Sequence, residues 1–234
     1  MKKVNIRTMI SVAVFSLYLA GCGGEGKVIE SVLSNFDDDI KAAEKNRSST
    51  VTFINATNDM ANFYARPLGI ILDEVYESEY EVASLLKGEV SEPYIYRWNE
   101  HLSTSEFAIA DSASITKKDK MEYTLENNNA YWGIAWIDNN KYSISILNTM
   151  SNPDNNSYSI RFFSMSDQNI FIGESNAPLI AAQKGEVTPV FTYNNCADID
   201  TINNKFVDFC QIANMGESYL AVIGENGEII IGQE

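Results

Sequence analysis

The chain has 234 residues, with 17 Lys and Arg against 32 Asp and Glu, one His and three Cys. Its length allows one or two domains, and 45% hydrophobic residues suffice for a packed core. A net charge of −15 excludes a basic module that binds nucleic acid by counterion release or docks on an anionic membrane surface. A single histidine removes sites that need two, which covers most zinc enzymes.

Residues 1–21 read as a signal peptide. Lys2, Lys3 and Arg7 precede a run of 13 mostly apolar residues from Thr8 to Ala20. That run fits a secretory h-region of about 7–15 residues and falls short of the ~18 needed to span a bilayer. It ends in Leu19-Ala20-Gly21-Cys22, which resembles the lipobox of bacterial lipoproteins. The resemblance implies cleavage before Cys22, a diacylglycerol thioether on its sulfur and acylation of the new amino group. Several acyl chains supply the two signals that stable anchoring needs. Gly23 stands where an inner-membrane retention Asp would sit, so the resemblance implies the outer membrane of a diderm bacterium. The side of that membrane the body faces stays open. Loss of Lys2, Lys3 and Arg7 takes the formal charge from −15 by three to −18.

Residues 22–50 read as a lipidated tether. Ile29, Val32, Leu33, Phe36, Ile40 and Ala43 in it fall at the spacing of a short amphipathic helix. From residue 51 the texture becomes short alternating runs punctuated by Asn, Asp and Gly, which predicts strands. Three blocks then recur in order. The run from Val51 to Asp59 returns from Ile160, the run from Lys87 (Lys-Gly-Glu-Val-Ser) returns from Lys184 (Lys-Gly-Glu-Val-Thr), and the run from Tyr131 returns from Tyr219. Repeated blocks in order predict a tandem duplication, with units at 51–150 and 158–234.

The third block holds two runs around Asp138-Asn139-Asn140 in the first copy and around Glu225-Asn226-Gly227 in the second. Both predict β-hairpins with type I′ turns. Trp132, Ile134 and Trp136 share one strand face; Tyr142, Ile144 and Ile146 share a face of the partner strand. With Leu220, Val222, Ile229 and Ile231 in the second copy, these faces are assigned to the cores. The fold expected is all-β: two tandem immunoglobulin-like antiparallel β-sandwiches behind the signal peptide and tether.

The opening strand, Val51 to Asp59, followed by Asn62-Phe63-Tyr64, is similar to a domain family of unknown function found in bacterial surface and secreted lipoproteins. Gly88-Glu89-Val90-Ser91 and the strand from Tyr131 also look like its motifs. The resemblance implies tandem β-sandwiches and no catalytic residues. This chain has Asn58 where the family has Pro, Asn62 and Asn169 where it tends to have Asp, and Pro67 where it tends to have Gly.

Motifs for chemistry are incomplete. Ser84 to Lys87 and Ser114 to Lys117 spell Ser-x-x-Lys without the companion motifs of penicillin-recognising enzymes. Gly173 to Ala177 lacks the last Gly of a nucleophile elbow, and no His follows it. His101 has a neighbouring Glu100 and no metal partner. Asp198, Asp200 and Asn203 resemble part of a calcium loop but lack its Gly and closing Glu. Cys196 and Cys210 remain after lipidation of Cys22, and an even remainder in an oxidising compartment predicts a disulfide. Closing a loop of about 15 residues would stabilise by ~3 kcal/mol in the chain-entropy model.

The expected function is an outer-membrane lipoprotein whose sandwiches bind a protein or glycan partner, a basic one given the acidity, without turnover. No cofactor, metal or nucleic acid is called for. Alternatives are a periplasmic accessory lipoprotein assisting assembly of an envelope complex, and a hydrolase using paired carboxylates.

Overall fold

Asn, Gly and Pro end short apolar runs throughout the chain, and strands form between them. The computed structural model describes residues 46–68, 74–99, 104–113, 116–151, 154–172, 180–195, 199–201 and 206–234. Cys22, His101, Ser114, residues 173–177, Cys196, Asp198 and Asn203 lie outside the described residues. The described part is all-β, apart from 3₁₀ turns at Ser78–Tyr80 and Phe209–Gln211.

The first half contains β1 (Asn46–Asn55), β2 (Ala61–Pro67), β3 (Glu81–Leu85), β4 (Tyr94–Asn99), β5 (Thr104–Asp111), β6 (Lys118–Thr124), β7 (Ala130–Asp138) and β8 (Lys141–Asn148). The second contains β9 (Tyr158–Ser164), β10 (Gln168–Ile172), β11 (Ile180–Ala182), β12 (Phe191–Tyr193), β13 (Ile199–Thr201), β14 (Phe206–Val207), β15 (Ser218–Ile223) and β16 (Ile229–Gln233). Residues 46–50, read from the sequence as tether, are the start of β1.

The first eight strands form sheet A, in the order β4-β1-β7-β8, and sheet B, in the order β3-β2-β5-β6. The second eight repeat this order with every label raised by eight: sheet C is β12-β9-β15-β16 and sheet D is β11-β10-β13-β14. An immunoglobulin sandwich would seat its first, second, fifth and fourth strands together. Here the first strand sits inside its sheet and runs parallel to the seventh, with Val51 opposite Tyr131. Likewise β9 runs parallel to β15, with Ile160 opposite Tyr219. A parallel pair needs a long crossover, and the chain makes it through β2, β3, β5 and β6 of the other sheet, with β4 returning to the edge of sheet A on the way.

Three apolar cores stack these sheets. Phe53, Phe63, Phe107, Tyr131 and Ile144 fill the space between sheets A and B. Tyr158, Phe162, Phe209 and Tyr219 do the same between C and D. The third core joins the halves: Ile54, Trp132, Ile134 and Trp136 of sheet A meet Phe163, Met165, Leu220 and Val222 of sheet C. The layers therefore run B, A, C, D. The face of Trp132, Ile134 and Trp136 is buried, as the sequence led us to expect, but against the other half rather than in its own sandwich. On β8, Ile146 and Ile144 lie opposite Gly133 and Ala135, on the contrary face of β7. Both faces of β7 and β15 are apolar because each is covered by a sheet, the pattern of a strand buried on two sides.

Each half also carries a tyrosine hydroxyl that accepts a backbone N–H five residues upstream. Glu126 donates to Tyr131 Oη at 2.8 Å, and Asn214 donates to Tyr219 Oη at 2.8 Å. The two hairpins differ. Asn139 and Asn140 both take positive φ, 49° and 63°, the two-residue type I′ turn expected. In the second hairpin the pairing stops at Ile223–Ile229, and of the turn residues only Gly227 has positive φ, at 80°. The chain there makes a longer loop in which Gly227 N–H donates to Gly224 O at 3.0 Å and Gly224 N–H to Glu228 O at 2.8 Å. Only one residue there, Gly227, takes the positive φ that a type I′ turn asks of two.

Candidate functional site

The three recurring blocks come together at the seam between sheets A and C. In the first copy Asn55 is fully buried and acts as a hub. Its amide donates to Asp59 O at 2.8 Å and Leu85 O at 2.9 Å. Its Oδ1 accepts from the Thr57 N–H at 2.9 Å and the Thr57 hydroxyl at 2.7 Å. A short polar side chain that both donates and accepts is what a buried turn needs. The hub holds the turn so that Asn58 projects outward.

The second block docks on the same hub. Gly88 N–H donates to Asn55 O at 2.8 Å, and Asn55 N–H donates to Glu89 O at 3.0 Å. The positive φ of Gly88, 81°, makes that approach cheap only for glycine. Ser91 Oγ then accepts the Phe53 N–H at 2.8 Å. The second copy matches bond for bond. Gly185 N–H donates to Ser164 O at 2.7 Å, Gly185 has φ 74°, and Thr188 Oγ1 accepts the Phe162 N–H at 3.0 Å. The Lys-Gly-Glu-Val-Ser/Thr repeat is thus a backbone clasp on the first strand of each half.

A cleft of about 500 Å³ opens where the first clasp faces the second hairpin. Asn58, Lys87, Gly88 and Val90 line it from the first half, and Gly224, Glu225 and Glu228 from the second. Ile137, Met165 and Ile230 form an apolar floor. Lys87 Nζ donates to Asn58 Oδ1 at 3.1 Å, within its own half.

Elsewhere at the seam polar groups are closed on one another. Arg161 and Glu234 form an ion pair with side chains 8% and 1% exposed. Trp132 Nε1 donates to the same carboxylate at 3.1 Å, and Arg161 also reaches Asn148 O. Burial raises the Glu234 pKa above its ordinary 4.5, against the opposing pull of Arg161 and Trp132. On the outer face of sheet B, Glu106 receives Arg66 at 2.6 Å and Lys120 at 2.7 Å. Burial there pushes its pKa up, but the hydrogen bonds from Lys120 and Arg66 outweigh it and the net shift is downward from 4.5.

The lysine of the first Ser-x-x-Lys is not aimed at its serine. Ser84 Oγ donates to Asn62 Oδ1 at 2.7 Å while Lys87 turns to Asn58. Lys117 pairs with Asp59 at 2.7 Å, beside the Tyr142 hydroxyl. Cys210 is exposed on its 3₁₀ turn and engaged rather than free. Among the described residues, no three His, Cys, Asp or Glu side chains converge as a metal site would require. The cleft itself was not among the residues singled out from the sequence. Its signal was present in the aligned third block, where Trp136 stands opposite Gly224.

No family model matches the chain, and no curated protein matches it. Among solved structures, a carbohydrate-binding module of family CBM26 from Eubacterium rectale Amy13K, solved with maltoheptaose, is 12% identical. It aligns over 80% of this chain and 97% of that one with a TM-score of 0.22. The likeness extends no further than an all-β chain.

Proposed function

We propose that the protein is a lipid-anchored lipoprotein of the outer membrane of a diderm bacterium, and that it binds a protein or glycan partner without turnover. The observation that carries the binding reading is the cleft of about 500 Å³ built from both halves, with an apolar floor and charged rim. One wall is held by the first backbone clasp and the other by the hydrogen-bonded loop of the second hairpin, which preforms the site. The anchor reading rests on Leu19-Ala20-Gly21-Cys22. Described acidic side chains at the ion pairs are spent on cations: Asp59 on Lys117, Asp138 on Lys184, Glu106 on Arg66 and Lys120.

The body is read as two tandem β-sandwiches, akin to immunoglobulin domains in their tyrosine corners though not in strand order. The Cys196–Cys210 disulfide belongs to the same envelope reading and is supported by the engagement of Cys210.

Cys22→Ala, expressed in a diderm host, tests the anchor. The expected result is an unprocessed precursor lost from the outer-membrane fraction; normal maturation would sink the reading. The periplasmic accessory role stays as second reading because β4, a sheet edge, exposes Tyr94 at 37% and Ile95 at 52%, a surface suited to strand addition. Protease added to intact cells separates the two: cleavage supports a surface binder, protection until permeabilisation supports the accessory protein.

A further inference from the structure

The seam between sheets A and C contains the same slot twice, once plugged and once open. Register makes Trp136 and Gly224 equivalent. Trp136 follows Ala135, which pairs with Asn55; Gly224 follows Ile223, which pairs with Ser164. The preceding carbonyls match too: Ala56 N–H donates to Ala135 O at 2.8 Å, and Met165 N–H to Ile223 O at 2.9 Å. Gly88 and Gly185 are equivalent through their clasps.

On the plugged side the Trp136 indole lies on Gly185, where an added Cβ would sit 3.0 Å from the ring. Its edge meets Phe163 at 5.6 Å between centroids, and Lys184 crosses the seam to Asp138 at 2.7 Å. On the other side the indole is replaced by Gly224. An added Cβ at Gly88 would meet nothing within 4 Å, and the space between is the cleft. Lys87, the counterpart of Lys184, stays with Asn58 in its own half. Among the described residues neither Glu225 nor Glu228 enters an ion pair.

We infer that the open slot receives an aromatic side chain, tryptophan above all, carried on a basic segment of a partner protein. The inference rests on the reading of the cleft as the binding site and names its occupant. The shape argument is internal, since Trp136 fills the matching slot. Met165 on the floor offers a polarisable sulfur suited to a ring. No aromatic ring lines the cleft to serve as a platform for a sugar. The charge argument agrees: Glu225 and Glu228 against Lys87 leave the rim at −1, in a chain of −15.

The test is a titration of the full chain in detergent, with Ile and Met methyl groups observed by NMR. The probes are the peptides Lys-Trp-Lys, Lys-Ala-Lys and Glu-Trp-Glu, and maltoheptaose. Lys-Trp-Lys is expected to shift the methyls of Ile137, Met165 and Ile230. Lys-Ala-Lys should bind at least ~10-fold more weakly, the worth of one buried ring. Glu-Trp-Glu should bind about 3-fold more weakly at low salt, a difference that fades as salt screens the rim. Gly224→Trp should remove the shifts. The added Cβ would meet Glu228 Oε2 at 2.7 Å, the far end of a flexible side chain, so the variant is expected to fold. The peptide comparison on the unaltered chain stands even if that variant does not.

Unmoved cleft methyls with Lys-Trp-Lys, or shifts equal to those with Lys-Ala-Lys, overturn the inference. If maltoheptaose alone moves them, the aromatic occupant falls while the cleft remains a binding site. If no probe moves them and Gly224→Trp leaves partner capture by whole cells intact, the cleft reading falls as well.

Discussion

Asn55 satisfies four polar contacts inside the protein, and its counterpart Ser164 satisfies two. Ser164 Oγ donates to Ser166 O at 2.6 Å and accepts from Gln168 Nε2 at 2.7 Å. Asn55→Ala takes the side-chain acceptor from the buried Thr57 N–H and an amide donor from Leu85 O and Asp59 O, the latter keeping the Thr57 hydroxyl at 3.0 Å, so a loss of about 3 kcal/mol is expected, against ~1 kcal/mol for Ser164→Ala. Urea unfolding of both variants measures the difference; equal losses would show that the Asn55 network contributes nothing special. Two glutamates set opposite pH slopes. Glu106, whose pKa is lowered in the fold, contributes stability that is present above its ordinary 4.5 and lost as pH falls through its folded value. Glu234, whose pKa is raised, does the reverse: its burial cost at neutral pH is relieved as the fold takes up a proton on acidification. As pH falls from 6 toward 4.5 the unaltered protein should therefore gain stability relative to Glu234→Gln, and as pH falls below 4.5 it should lose stability relative to Glu106→Gln. Denaturation curves taken above and below pH 4.5 give both slopes.

At the scale of elements, the two clasps provide a matched pair. Both Gly88 and Gly185 have positive φ, so alanine costs ~1 kcal/mol at each. At Gly185 the new methyl also meets the Trp136 ring, and a total of about 2 kcal/mol or more is expected. Thermal unfolding of the two variants side by side isolates the contribution of the plug. The strands, the first hairpin turn and the recurrence of the three blocks were legible because each is local: alternation, Asn-Asn, and a spelled-out repeat. The partner of a face was not. A period of two says that Trp132, Ile134 and Trp136 point the same way, but not which sheet receives them. The parallel pairing of β1 with β7 was equally hidden, since nothing near Val51 marks Tyr131 as its neighbour. Gly224, the residue that opens the cleft, carries no signal by itself; it acquires meaning only once register makes it the equivalent of Trp136.

Across the whole molecule, the third core makes the two halves one folding unit. Trp132 lies against Gly232 of β16 and donates to Glu234, so Trp132→Ala removes packing and a hydrogen bond across the seam at once. A cost of ~3–5 kcal/mol is expected. Scanning calorimetry should show one transition in the unaltered chain and two in the variant, as each sandwich melts alone; a single shifted transition would mean that the rest of the seam suffices to couple them.

The tandem arrangement has a consequence for association. The outer face of sheet A would expose two tryptophans and an isoleucine if its own half stood alone, and a matching face on a second copy would be the natural place to hide them. Linking two such units in one chain converts that encounter into an intramolecular one, at an effective concentration in the millimolar range. The complement is then always at hand, so β7 seeks β15 of its own chain before it can find a neighbour's.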